Sequence, residues 1–281
     1  MLFEVFNRTW KIWVFVPIVL FLVSVLVLVN NVMTTGSFIE RDVELTGGNL
    51  ITVELTQSVD LFELQAALPY AKISVTQGVT TEILVETSSD YDPEGVMDDL
   101  RAFGVKGESS VKTVGPVLGE IFWSQTQLAI IAAFVLMAIV VFVLFRSIAP
   151  SGIVIFSAAA DIISTMAIIS LLDIKLSLYV LAALLMIIGY SIDTDILLTS
   201  ELLKARGKEI SERIKTAMKT GLTMSFTTIA ALIALYTLSG TFVLKQIAFV
   251  LLIGIIIDIF VTWMGNTNIL RIWLLRKEKH S

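Results

Sequence analysis

Six stretches of this chain are apolar over a length that spans a lipid bilayer, and no other feature limits its fold so tightly. Crossing about 30 Å of hydrocarbon takes roughly 20 apolar residues in a helix. The runs are Ile12–Val32, Gln125–Phe145, Gly152–Leu172, Ser177–Thr199, Gly221–Leu238 and Leu244–Gly265. Lipid offers no partner for backbone N–H and C=O groups, so runs of this kind must be helical. The 281 residues are 56% hydrophobic and 16% charged, with a mean hydropathy of +0.87. A water-soluble domain of this size could not bury that much apolar surface. Arg8 and Lys11 precede the first run as they would in a signal peptide. That run is too long for one and no small-x-small pattern follows Asn30-Asn31, so it is read as a retained helix.

Basic residues orient the spans. Arg8, Lys11, Arg146, Lys204, Arg206, Lys208, Arg213, Lys215, Lys219, Arg271, Arg276, Lys277 and Lys279 fall on one side. The short loops opposite carry only Lys175 and Lys245. The expected layout is a cytoplasmic N-terminus (1–11), a first helix (12–32), an extracytoplasmic domain (33–124), helices two to six (125–270) with a cytoplasmic loop near 200–220, and a basic cytoplasmic tail (271–281). The product would be a multi-pass protein of the cell membrane.

Residues 33–124 hold fifteen of the twenty-five acids. Asn49–Thr56 alternates like a strand, and Val59–Leu68 reads as a helix capped by Ser58. Ala71–Gln77 and Thr80–Thr87 flank a turn at Gly78 as a hairpin. Asp92–Phe103 is a helix with Pro93 at its first position, and Lys106–Val114 is a last strand. The order β-α-β-β-α-β is the ferredoxin-like arrangement, an α+β fold that by itself names no function. The domain's acidity argues against nucleic acid. Cysteine is absent and the single histidine, His280, lies in the tail. No metal, no cofactor and no enzymatic centre is therefore expected.

Four aspartates fall inside the spans: Asp161, Asp193, Asp195 and Asp258. A charged group at a helix centre costs about 2.5–3.5 kcal/mol on the insertion scale, so lipid-facing placement is disfavoured. Asp193 and Asp258 come out in the cytoplasmic third, at the level of Thr223, Ser225, Thr227 and Thr228, and Asp161 near the midplane. Gly254, Asp258, Thr262 and Gly265 share one stripe, and Ser157, Asp161, Ser164 and Thr165 another. Asp193 lies on a stripe with Ala182, Met186 and Gly189. Asp195 lies about 200° round the helix, with the bulkier Leu184, Ile188, Ser191 and Leu198. Small residues let helices approach, which favours Asp193 over Asp195 as the inward acid. Three fates are open to these acids: protonated and bonded to Ser and Thr, part of a hydrated relay, or paired with a base on another chain.

Several short runs resemble the SecF family, the smaller subunit of the SecDF protein-export complex. They are Glu44-Leu45-Thr46-Gly47-Gly48, Val114-Gly115-Pro116-Val117-Leu118-Gly119, Ile188-Gly189-Tyr190-Ser191-Ile192, Thr223-Met224-Ser225-Phe226-Thr227-Thr228, and Gly254-Ile255-Ile256-Ile257-Asp258. Bacterial-type members read Asn-Asp-Thr after the Ile-Gly-Tyr-Ser run. Here those positions are Asp193, Thr194 and Asp195, an archaeal-type pattern. The resemblance implies half of a bundle of the resistance-nodulation-division type. It implies a SecD-like partner, a SecYE-type channel and a translocating polypeptide as further partners, and ion coupling through the aspartates. The rival expectations are one half of a small-molecule or lipid exporter of the same superfamily, and an uncoupled assembly subunit.

Overall fold

A computed structural model describes residues 9–55, 61–77, 81–105, 107, 109–204 and 209–278. The Ser58 cap, the Gly78 turn, His280, and Arg8, Arg206, Lys208 and Lys279 of the orientation argument lie outside the described residues. Among the described residues six helices are long and apolar enough to cross a membrane. The first, α1 (Phe15–Thr35), closes on Gly36, whose φ of 77° lets its N–H return to the carbonyl of Val32. The chain then makes a single turn, α2 (Val43–Thr46), before the inserted domain.

That domain consists of β1 (Gly48–Leu55), α3 (Leu61–Ala67), β2 (Lys72–Gln77), β3 (Thr81–Thr87), α4 (Pro93–Ala102) and β4 (Ser109–Val114). The sheet is antiparallel throughout, in the order β2-β3-β1-β4, as the ferredoxin-like arrangement requires. Alternation sets its two faces. Ile51, Val53, Ile83 and Val85 pack under α3 and α4 with Leu64, Leu68, Val96 and Leu100. Leu50, Leu84, Glu86 and Ser74 turn the other way, towards the end of the helical bundle. Asp92 caps α4, its carboxylate accepting from the Gly95 N–H at 3.3 Å, and Pro93 opens the helix.

The bundle continues as α5 (Pro116–Phe145), α6 (Ile148–Leu171), α7 (Leu178–Lys204), α8 (Ile210–Leu238) and α9 (Phe242–Phe260). A π-helical turn (Val261–Asn266) and α10 (Thr267–Glu278) extend the last span. The helices outrun their apolar stretches. α5 begins at Pro116 instead of near Gln125, because Pro at the first helical position and the good helix formers after it start the helix before the hydrocarbon does. Most of the loop expected near 200–220 is helical for the same reason: charged helix formers carry α7 to Lys204 and start α8 at Ile210. The tail expected from residue 271 is helical to Glu278. α6, α7 and the last span form the centre, with 56%, 50% and 56% of their apolar windows buried, against 17%, 11% and 17% for α1, α5 and α8. The polar face of the molecule within the spans must therefore be sought between α6, α7 and α9.

Candidate functional site

Three of the four intramembrane acids meet there. Asp161 on α6, Asp195 on α7 and Asp258 on α9 are completely buried. Ser191 Oγ donates to Asp161 Oδ2 at 2.5 Å. Thr194 Oγ1 lies 3.2 Å from Asp258 Oδ2 and 2.8 Å from the Ser191 carbonyl. Thr262 Oγ1 sits 3.0 Å from both Asp195 Oδ1 and Asp258 Oδ1. Asn266 Nδ2 donates to Asp195 Oδ1 at 2.5 Å. Asp161 and Asp258 are thus tied to neighbouring residues of α7, Ser191 and Thr194, which are themselves joined through the Ser191 carbonyl. Thr262 has a single hydroxyl proton for two acids and can serve only one at a time.

The cluster has unused polar atoms of both kinds: among the described residues the acceptors Asp161 Oδ1, Asp195 Oδ2 and Asn266 Oδ1 and the hydroxyls of Ser157 and Ser164 are buried with no hydrogen-bond partner. Among the described residues no salt bridge reaches the three acids. A small cavity of about 20 Å³ lies beside Ser157, Gly265 and Asn266, with Pro17 of α1 on its far side.

Asp193 does not face inward, contrary to the expectation from stripe size. It is exposed on the outside of the bundle, in line with Ala182, Met186 and Gly189, while Leu184, Ile188, Ser191 and Leu198 point in with Asp195. The small residue that permits close packing is on the neighbouring helix. A Cβ on Gly254 would stand 2.3 Å from Ile187 Cδ1, so α9 yields the space that the bulky face of α7 fills. The α8 hydroxyls fall in two groups. Ser225 is buried and bonds the Gly221 carbonyl, whereas Thr223 and Thr227 are exposed and Thr228 is half-buried, each bonded to its own helix one turn back. Among the described residues none of them hydrogen-bonds to the acids. Tyr190 turns its hydroxyl, unpartnered, towards Ser225 and Thr228. Asn266 was missed at the sequence level. Its signal was present: an amide one turn beyond Thr262 on the Asp258 stripe, displaced by the π turn onto Asp195.

The glycine motifs mark where the inserted domain joins the membrane helices. Gly47 (φ 83°) and Gly48 (φ 139°) adopt backbone conformations that side chains disfavour. A Cβ on Gly47 would lie 2.7 Å from Pro116 Cα, and one on Gly119 would lie 2.6 Å from Gly47 N. Gly115 caps α5 ahead of Pro116. Gly189, by contrast, meets open space.

The same junction grips the end of α7. The Asp42 N–H donates to the Leu176 carbonyl at 2.9 Å, and the Leu176 N–H to the Glu40 carbonyl at 2.7 Å. Buried Glu44 accepts from the Leu178 N–H at 2.9 Å and pairs through its other oxygen with Lys112. Lys175 pairs with Glu86. A carboxylate on the first N–H groups of a helix is favoured by the helix dipole. Burial, reinforced by nearby Glu86, raises the Asp42 carboxyl above its usual range.

Comparison with known proteins bears on what this arrangement is. Residues 97–276 match the family described as "Protein export membrane protein SecD/SecF, C-terminal". "Protein-export membrane protein SecF" of Pyrococcus furiosus is 35% identical over 270 residues, covering 93% of this chain and 90% of that protein. Its counterpart from Methanothermobacter thermautotrophicus is 39% identical over 277 residues, covering 95% and 93%. The crystal structure of SecDF, "a translocon-associated membrane protein", from Thermus thermophilus superposes with a TM-score of 0.79 at 21% identity. That match takes in 95% of this chain but 38% of the other, so the fold likeness is to one part of a longer protein. On the family match and the near full-length likeness to these relatives, the chain belongs to the SecF family of protein-export membrane proteins.

Proposed function

We propose that this chain works in protein translocation across the cell membrane as one half of a two-part bundle, completed by a SecD-like subunit and acting beside a SecYE-type channel on a translocating polypeptide. In this reading the inserted domain is extracytoplasmic and both termini are cytoplasmic. The single observation that carries the reading is the buried cluster of Asp161, Asp195 and Asp258, bridged by hydroxyls and without an ion pair among the described residues.

A proton arriving at such a cluster changes which groups donate and which accept. With Asp258 protonated, its O–H can donate to Thr262 Oγ1, and Thr262 can then donate to Asp195. With Asp258 ionised, Thr262 is divided between two acceptors. Each state favours a different spacing of α7 and α9. A charge moved through 100 mV of membrane potential carries about 2.3 kcal/mol, roughly a 50-fold bias between two arrangements. The displacement of α7 is passed to the inserted domain through Glu44 and Glu86 at its end.

The exposed stripe of Ala182, Met186, Gly189 and Asp193, with Thr223 and Thr227 nearby in depth, supports a partner helix covering that side.

The test is export by the chain co-reconstituted with its SecD-like partner, with and without an imposed proton gradient. Asp258→Asn and Asp195→Asn should each abolish the gradient-dependent part of the rate while the two subunits still co-purify. Undiminished, gradient-dependent export by both variants would make the chain an uncoupled assembly subunit.

A further inference from the structure

A cavity of about 250 Å³ lies between the open face of the sheet and the ends of α7, α8 and α9. Three lysines line it, and two are matched: Lys72 pairs with Glu40 at 2.8 Å and Lys175 with Glu86. The third, Lys245, has no ion pair among the described residues although only 8% of it is exposed. It sits in the first turn of α9, at the depth where a lysine ordinarily extends its ammonium to water. Here the sheet roofs it over. Beside it, Gln246 Oε1 is buried without a hydrogen-bond partner among the described residues. Asp42, Asp173 and Glu86 also line the cavity, but none of them pairs with Lys245 among the described residues; an occupant bringing a negative charge and a donor would satisfy Lys245 and Gln246 together.

The cavity's walls indicate what that is. Tyr236, 41% exposed, stands at the rim on sparsely covered α8, and its ring centroid is 5.9 Å from that of Phe249. The cavity thus reaches the outside of the bundle beside this ring pair, at the edge of the hydrocarbon, where aromatic rings ordinarily meet headgroups. We propose that the cavity seats the headgroup of a membrane lipid from the leaflet next to the inserted domain. The phosphate rests on the Lys245 ammonium, a headgroup hydroxyl or ammonium donates to Gln246 Oε1, and an acyl chain leaves past Tyr236 and Phe249.

The experiment is native mass spectrometry of the full chain, delipidated in detergent and titrated with diheptanoyl phosphatidylglycerol, inorganic phosphate, or an apolar peptide ending in a free carboxylate. The short-chain lipid should bind at about one copy per chain. Lys245→Gln should weaken it roughly tenfold or more, the worth of one charge-assisted contact. Ser74→Trp, which fills the cavity from exposed β2 and leaves the sequence of α9 unaltered, should do the same. The two variants alter different elements, so misfolding of one leaves the test standing. Undiminished lipid binding in a folded variant overturns the proposal. So does binding of inorganic phosphate as tight as that of the lipid, or tighter binding of the peptide.

Discussion

At the scale of single residues, the chemistry turns on a hydroxyl that two acids compete for. Thr262 stands 3.0 Å from both Asp195 and Asp258, so removing its hydroxyl should isolate one acid from the other. Thr262→Val keeps the shape, and gradient-dependent export should fall about tenfold or more, the order of losing a hydrogen bond to a charged group. Thr262→Ser should restore most of it, an outcome that a packing role for the methyl would not give. A second acid, Asp42, answers to pH differently. Burial raises it above its ordinary 3.8, so the folded chain holds its proton more tightly than the unfolded chain does. Its contribution to stability is then unfavourable above the raised value, and the deficit is relieved as pH falls towards 3.8. Asp42→Asn should gain stability over the parent at pH 7, a gain that shrinks towards pH 4. Asp42→Ala also loses the cap on the Val43 N–H and should cost about 1 kcal/mol relative to Asn. Melting temperature in detergent across that pH range decides both.

At the scale of elements, the decisive contact is between α7 and α9. A Cβ on Gly254 would overlap Ile187, whose side chain is fully buried. Gly254→Ala should destabilise the bundle by about 1–3 kcal/mol, as overpacking does. Ile187→Ala should recover part of that loss in the double variant, a coupling that a melting-temperature cycle measures. This contact also explains what could be read beforehand. The six spans, the ferredoxin-like order and the inward stripes of Asp161 and Asp258 follow from period and composition, because lipid and sheet impose strict patterns. The choice between Asp193 and Asp195 does not. Either face of α7 can pack inward, and the one that does is decided by a glycine on another helix, sixty-odd residues away. The π turn was equally hidden. Nothing in Val261–Asn266 taken alone announces a wider helical turn, yet that turn brings Asn266 to Asp195.

At the scale of the whole molecule, one carboxylate among the contacts between the inserted domain and the bundle bonds to both. Glu44 holds the Leu178 N–H at the start of α7 while pairing with Lys112 of β4. Glu44→Gln weakens both bonds at once. Hydrogen exchange at the Leu178 amide should quicken by about tenfold or more, the order expected for losing a charged acceptor. Exchange within the Ile51–Val53 stretch of the sheet should stay unchanged, since its core lies on the far face. The junction has one more property. The chain leaves for the sheet at Gly47-Gly48 and returns at Val114-Gly115, and Gly48 is the register partner of Val114. Departure and return thus share one rung of the ladder. Whatever is strung between them can be exchanged like a cartridge: a foreign module with adjacent ends, spliced from residue 48 to residue 114, should leave α1 and α5 where they are.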